Sequence, residues 1–116
     1  MKRRPTRALS APARRVSVVW TERALRDLEA IGDFIARDSP AAAERWVLKL
    51  MKAAESVGAL PMAGRQVPEL GRTDVREKLL RNYRIVYRAT EERIEILTVF
   101  EGHRRFPEGS GPPEGK

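Results

Sequence analysis

The sequence predicts an α+β fold, a β-α-α-β-β-β chain in which a helical hairpin packs on one face of an antiparallel-rich sheet. Three observations carry this. Two apolar stripes at helical spacing follow one another across residues 22–57, parted by the breaker Asp38-Ser39-Pro40. Three strand-like runs, VREKLL, YRIVYRA and RIEILTVF, succeed each other through links of two and three residues. One more β-branched run, VSVVW, stands before the first helix.

The elements justify themselves in order. Residues 16–20 form a short strand because β-branched side chains fit a pleated surface. Thr21 can then cap a helix by accepting a bond from a free backbone N–H, and Glu22 suits the positive end of the helix dipole. Ala24, Leu28, Ile31 and Ile35 recur on one helix face, with Leu25 and Phe34 widening the stripe. Ser39 caps the second helix and Pro40 is at home in its first turn. Its apolar face is Ala43, Trp46, Val47, Leu50, Met51, Ala54 and Val57, and Gly58 ends it. The link is so short that the two helices form an antiparallel hairpin. Trp20, Trp46 and Phe34 read as core. Residues 58–74 are irregular, broken by glycine and proline. Residues 75–80, 83–89 and 93–100 make an antiparallel meander.

Composition bounds the rest. The 116 residues, 41% hydrophobic and 34% charged, suit one domain with its own core, placed at residues 16–106. The absence of cysteine excludes a disulfide, a thiol nucleophile and a cysteine zinc site, and fits a reducing cytoplasm. No apolar run reaches the length of a membrane span. The net charge of +7 is uneven: residues 1–15 carry six basic side chains and no acid, and residues 58–106 carry three more basic than acidic ones. Both regions could attract a polyanion. The first 15 residues lack the apolar centre of a secretory signal. They read as a solvated basic tail, with an RNA-touching arm or an overextended start as the alternatives. Residues 107–116, rich in proline and glycine, read as a second disordered tail.

Alternation assigns the strand faces. Tyr83, Ile85 and Tyr87 share the side that meets the helices, and Arg84, Val86 and Arg88 share the other. Arg76 and Lys78 share a side of the preceding strand. If both basic sets point away from the helices, they line one uncovered cationic surface; otherwise they are solvated charges on an exposed sheet face. Glu77 alternates opposite to Arg76 and Lys78, which offers a buried ion pair with Arg65 or a bond to a tyrosine hydroxyl.

The ordered set VVWTERALRDLEAIGDFIARDSPAAAERWV, P…GRQVPEL, VREKLLRNYRIVYR and IEILTVFEGHRR resembles the RelE/ParE toxin family over residues 16–105. The resemblance implies a toxin paired with a cognate antitoxin and needing no metal or cofactor. It also implies one of two activities. RelE-like members cut ribosome-bound mRNA; ParE-like members poison DNA gyrase. The basic positions of the RelE-like cutters fall on Arg76, Lys78, Arg84 and His103-Arg104. A YoeB-like branch uses a Pro-Glu loop, the same strand arginine and a histidine after the last strand, which match Glu69, Arg84 and His103. The C-terminal tyrosine of RelE has no counterpart here, and the helix hairpin with DSPAAAERW looks more ParE-like.

For metal-free RNA cleavage the substrate 2′-hydroxyl attacks the adjacent phosphorus, so a base, an acid and cations are needed. Arg84 and Arg104 are the phosphate clamps in this reading, because a guanidinium fork bonds two oxygens and keeps its proton. Glu69 and His103 divide the roles of base and acid. Arg76, Lys78, Arg65 and Arg88 are the candidates for flanking phosphates. Each has a bland rival: His103 as an ordinary surface residue, Glu69 as a solvated carboxylate, Arg65 as a donor to loop carbonyls. The leading expectation is a ribosome-dependent mRNA endonuclease. A gyrase poison acting by binding is the alternative, and an inactive antitoxin-binding member the third reading.

Overall fold

The computed structural model describes residues 15–102 and 106–107, and the expected His103 and Arg104 lie outside them. The elements are β1 (Ser17–Trp20), α1 (Glu22–Ala36), α2 (Pro40–Ser56), a single 3₁₀ turn (Val57–Ala59), β2 (Arg65–Gln66), β3 (Val75–Leu80), β4 (Tyr83–Ala89) and β5 (Arg93–Glu101). They build one five-stranded sheet in the order β1-β5-β4-β3-β2. β1 runs parallel to β5 and every other neighbour is antiparallel. The parallel pair exists because the helical hairpin carries the chain from one side of β5 across the sheet, the kind of crossover that parallel strands require.

Both caps form as the sequence expects. Thr21 Oγ1 accepts from Ala24 N at 3.1 Å and donates to Ile96 O at 2.7 Å, so one hydroxyl starts α1 and ties it to β5. Ser39 Oγ accepts from Ala42 N at 3.1 Å, and Pro40 occupies the first position of α2. α2 does not stop at Gly58: the chain tightens into the 3₁₀ turn, and Gly58 O accepts from Val16 N at 3.0 Å. A Cβ on Gly58 would lie 2.5 Å from Val16 O, so this close approach of two backbones demands glycine.

The main core lies between the hairpin and one sheet face. Ala24 and Leu28 of α1, and Leu50 and Ala54 of α2, meet Tyr83, Ile85 and Tyr87 of β4 and Ile94, Ile96 and Val99 of β5. Trp20 and Trp46 pack against this cluster as expected, with the Trp46 and Tyr83 rings 5.6 Å apart. Phe34 does not join it. It is 66% exposed and lies under the Arg37 guanidinium, and Leu25 and Met51 are exposed as well. The sheet is narrower than the full apolar width of the two helices, so the margins of both stripes remain in water.

A bulge in β5 gives α1 a second anchor. Val86 faces Thr98 and Tyr87 faces Ile96, so Leu97 is the extra residue. The irregularity lets Thr98 Oγ1 donate to Asp27 Oδ2, which also accepts from Val99 N at 3.2 Å, while Arg23 Nε holds Oδ1 at 3.1 Å. No described helix is long and apolar enough to cross a membrane.

Candidate functional site

The sheet face turned away from the helices was expected to be open. It is partly covered. Val67 and Leu70, from the loop after β2, and Phe106, from beyond β5, fold onto Val75, Val86, Leu97 and Phe100 and make a second small core. The signal was present in the sequence: Val75 and Val86 are apolar positions that alternate onto the face otherwise carrying charge.

The cations also divide. The two-residue link Arg81-Asn82 pairs Leu80 with Tyr83, and the register then runs Lys78 opposite Ile85 and Arg76 opposite Tyr87. Directly opposed residues share a face. Arg76 and Lys78 therefore point to the helix side, and Glu77 and Leu79 share the face of Arg84. The single cationic surface built from Arg76, Lys78, Arg84 and Arg88 does not form. The physical reason is parity: a two-residue hairpin link pairs odd with even positions here, so Arg76 cannot share a face with Arg84. Arg76 instead donates through Nη1 to Gly64 O at 3.1 Å, with its Nε buried and unpartnered among the described residues.

Arg84 sits where the ion-pair chemistry is densest. Its residue is 6% exposed, with the guanidinium 5.1 Å from the Phe100 ring centroid and 5.7 Å from that of Phe106. Nε donates to Glu77 Oε1 at 2.6 Å. Nη1 and Nη2 donate to Glu69 Oε2 and Oε1 at 3.0 and 2.8 Å, a two-pronged grip. Glu77, 1% exposed, accepts from Arg65 Nε through its other oxygen. The chain of charge is Arg65–Glu77–Arg84–Glu69, two of each sign. The buried Glu77–Arg65 pair read from alternation is present. Arg88 is likewise paired, through Nε and Nη2 at 3.0 and 2.7 Å from Glu95 Oε1.

The same pairs set the titration behaviour. The hydrogen bonds from Arg84 hold the Glu69 carboxyl below its ordinary 4.5, and those bonds raise Arg84 in return. The bond from Arg72 lowers Asp74 from 3.8. Burial pushes Glu95 upward, but the bonds from Arg93 and Arg88 outweigh it and leave it lowered. A carboxyl depressed in the folded state contributes stability that is complete above its unfolded value and is lost as pH falls through the folded one. The urea midpoint is therefore expected to be level between pH 6 and 8 and to fall below about pH 4.5. Glu69→Gln should flatten part of that fall. A midpoint unchanged at pH 3 would contradict the linkage.

On the helix side, Tyr87 is fully buried, as its alternation with Ile85 indicated. Its hydroxyl donates to Pro61 O at 2.8 Å and accepts from Gly64 N at 3.2 Å, which pins the segment entering β2. That position puts β2 on β3, with Arg65 opposite Glu77.

These elements match a known pattern. The family described as the ParE toxin of the type II toxin–antitoxin system parDE matches residues 18–106. The chain belongs to the ParE toxin family. This ParE-family toxin is similar to the protein Y4kP of Sinorhizobium fredii, 38% identical over 97 residues that cover 81% of this chain and 96% of the relative. It is also similar to Toxin RelE2 of Caulobacter vibrioides, 54% identical over 48 residues, 41% of this chain and 54% of that one. The fold of this toxin is found in the chromosomal ParDE system of P. aeruginosa, with a TM-score of 0.63 at 24% identity over 74% of this chain and 95% of the other. It is found again in the RelBE2 toxin–antitoxin complex of Mycobacterium tuberculosis, with a TM-score of 0.58 at 21% identity over 75% and 91%. The ParE-family core thus carries two features that sequence reasoning did not assemble: the second small core, and an arginine gripped by two carboxylates at its edge.

Proposed function

We propose that this toxin arrests growth by binding its target, DNA gyrase, in the cytoplasm, and that a cognate antitoxin neutralises it. The observation that carries this reading is the state of Arg84. Three of its nitrogens are engaged by two carboxylates, and Arg76 and Lys78 project from the opposite face. A phosphate arriving at Arg84 would have to displace Glu69 and would meet a neutralised guanidinium rather than a free fork. Transition-state stabilisation needs cations aimed at the developing charge, and no such convergence exists among the described residues.

A second reading, RNA cleavage, is favoured by one observation. Glu69 touches Arg84, and these are two of the three positions matching the YoeB-like branch. One pair of assays on the purified chain separates the readings. The expected result is lost supercoiling activity with linear DNA accumulating, alongside intact mRNA in a cell-free translation reaction. Codon-phased mRNA cuts with normal supercoiling would overturn the gyrase reading in favour of cleavage. Normal growth on unopposed expression would overturn both.

A further inference from the structure

We propose that the solvent flank of α2, continued by Lys78 of β3, seats the phosphate backbone of duplex DNA.

The helix itself sets the row. At 3.6 residues per turn, Arg45, Lys49 and Lys52 fall within about 60° of one another and run about 10 Å along the axis. All three are exposed. The opposite side of α2 is committed, since Leu50 and Ala54 are buried in the main core and Val47 lies against Gly32 of α1. Glu44 and Glu55, the two acids of the helix, fall on the flank between Val47 and the row. On the other flank Lys78 lines the cleft between Ser56 and β3, and so carries the row onto the sheet.

Pairing separates these cations from the others. Arg23 and Arg26 on α1, Arg84 and Arg88 on β4 and Arg93 on β5 each hold a carboxylate. Arg45, Lys49, Lys52 and Lys78 hold none among the described residues. The result is a field of one sign, open to a polyanion. The chain brings more charge to the same place. Arg15 Nη2 donates to Glu55 O at 3.0 Å, so the chain joins the domain at the end of the row. Residues 1–14 carry Lys2, Arg3, Arg4, Arg7 and Arg14 and no acid.

The surroundings select a duplex backbone. Ala42 and Ser56 share the face with the cations and are small enough for phosphates to come close. Duplex DNA carries one charge per about 1.7 Å of its axis, so a row of cations meets phosphates wherever it lies along the strand. A single strand is held largely by stacking bases on aromatic rings. Trp46, beside the row, is half-buried, with Tyr83 5.6 Å and the Lys49 ammonium 4.9 Å from its ring centroid. The cations form a line rather than converging on one point, so the seat holds a backbone and does not cut it. DNA is chosen over duplex RNA on the strength of the gyrase reading, whose target handles DNA. The test contains no gyrase, so the two can fail separately.

Anisotropy of a fluorescein-labelled DNA duplex of about 20 base pairs is followed with the full chain between about 50 and 200 mM KCl. Lys49→Ala/Lys52→Ala is expected to weaken binding at least about tenfold at the lower salt. It should also make the slope of log K against log salt shallower by about 1.8, since each phosphate contact contributes about 0.9. Arg26→Ala/Arg37→Ala removes the same charge from the side of α1 and should leave both readings near wild type. Both doubles should keep the wild-type melting temperature. Acetylation of Lys49, Lys52 and Lys78, followed by mass spectrometry, should slow when the duplex is present. Wild-type affinity and slope in Lys49→Ala/Lys52→Ala would move the binding to residues 1–14 and overturn the proposal. So would equal weakening by Arg26→Ala/Arg37→Ala, because net charge alone would then be at work. Tighter binding of duplex RNA, of a single strand or of a glutamate-rich peptide of the same charge would overturn it too.

Discussion

Arg84→Ala is expected to lower the melting temperature by roughly 12 °C or more. The side chain is almost fully buried and is one of two cationic partners of Glu77, whose own carboxylate has no contact with water. Removing one member of a buried ion pair costs about 3–5 kcal/mol, because the remaining charge stays desolvated. Arg65 still holds the other oxygen of Glu77, so the low end, about 3 kcal/mol, applies. For a domain near this size each kcal/mol moves the midpoint by about 4–8 °C. The substitution also frees Glu69 and with it the loop carrying Val67 and Leu70, so the second small core should loosen. Arg84→Lys should recover only part of the loss, since an ammonium cannot grip Glu69 at two points and Glu77 at a third. Calorimetry of the three proteins checks this. A loss below about 1 kcal/mol for Arg84→Ala would mean that Glu77 is not held in a desolvated charged pair.

Gly64→Ala is expected to be the next most damaging single change. A Cβ at this position would stand 2.3 Å from the Tyr87 hydroxyl and 2.7 Å from Glu77 O. Neither can yield cheaply. The first belongs to a fully buried ring and the second to a strand backbone. Overpacking of this kind costs about 1–3 kcal/mol. Displacing the hydroxyl from Pro61 O and Gly64 N leaves a buried polar group unsatisfied, for about 1–3 kcal/mol more. The clamp between Tyr87 and the 61–64 segment would open and β2 would leave β3. Tyr87→Phe, which removes the hydroxyl, should partly rescue Gly64→Ala in a double-mutant cycle, because it deletes the colliding atom. Urea unfolding of the four proteins gives the coupling. Strict additivity would show that the collision is not the cause.

Particular residues show how far the sequence could be read. The helix stripes, both caps and the three-strand meander follow from local chemistry, and they appear with the expected bounds or within a residue of them. The pairing of Glu77 with Arg65 was legible because alternation put an acid among bases. Phe34 was misread as core, and Leu25 and Met51, read as members of the apolar stripes, are exposed as well: periodicity reports which face is apolar, but only the width of the sheet decides how much of that face is covered. The cationic surface failed for a reason already written in the chain, since the two-residue link Arg81-Asn82 fixes the parity that separates Arg76 from Arg84.

The sequence by itself determined the order of elements, the family and the residues able to carry charge, because spacing, caps and turn lengths are local properties. Only the tertiary structure decided that Arg84 is spoken for by Glu69 and Glu77, and that Val67, Leu70 and Phe106 close over the sheet. Those outcomes depend on which distant segments meet, and the free energy of a buried charge is set by the partners that surround it rather than by its neighbours along the chain.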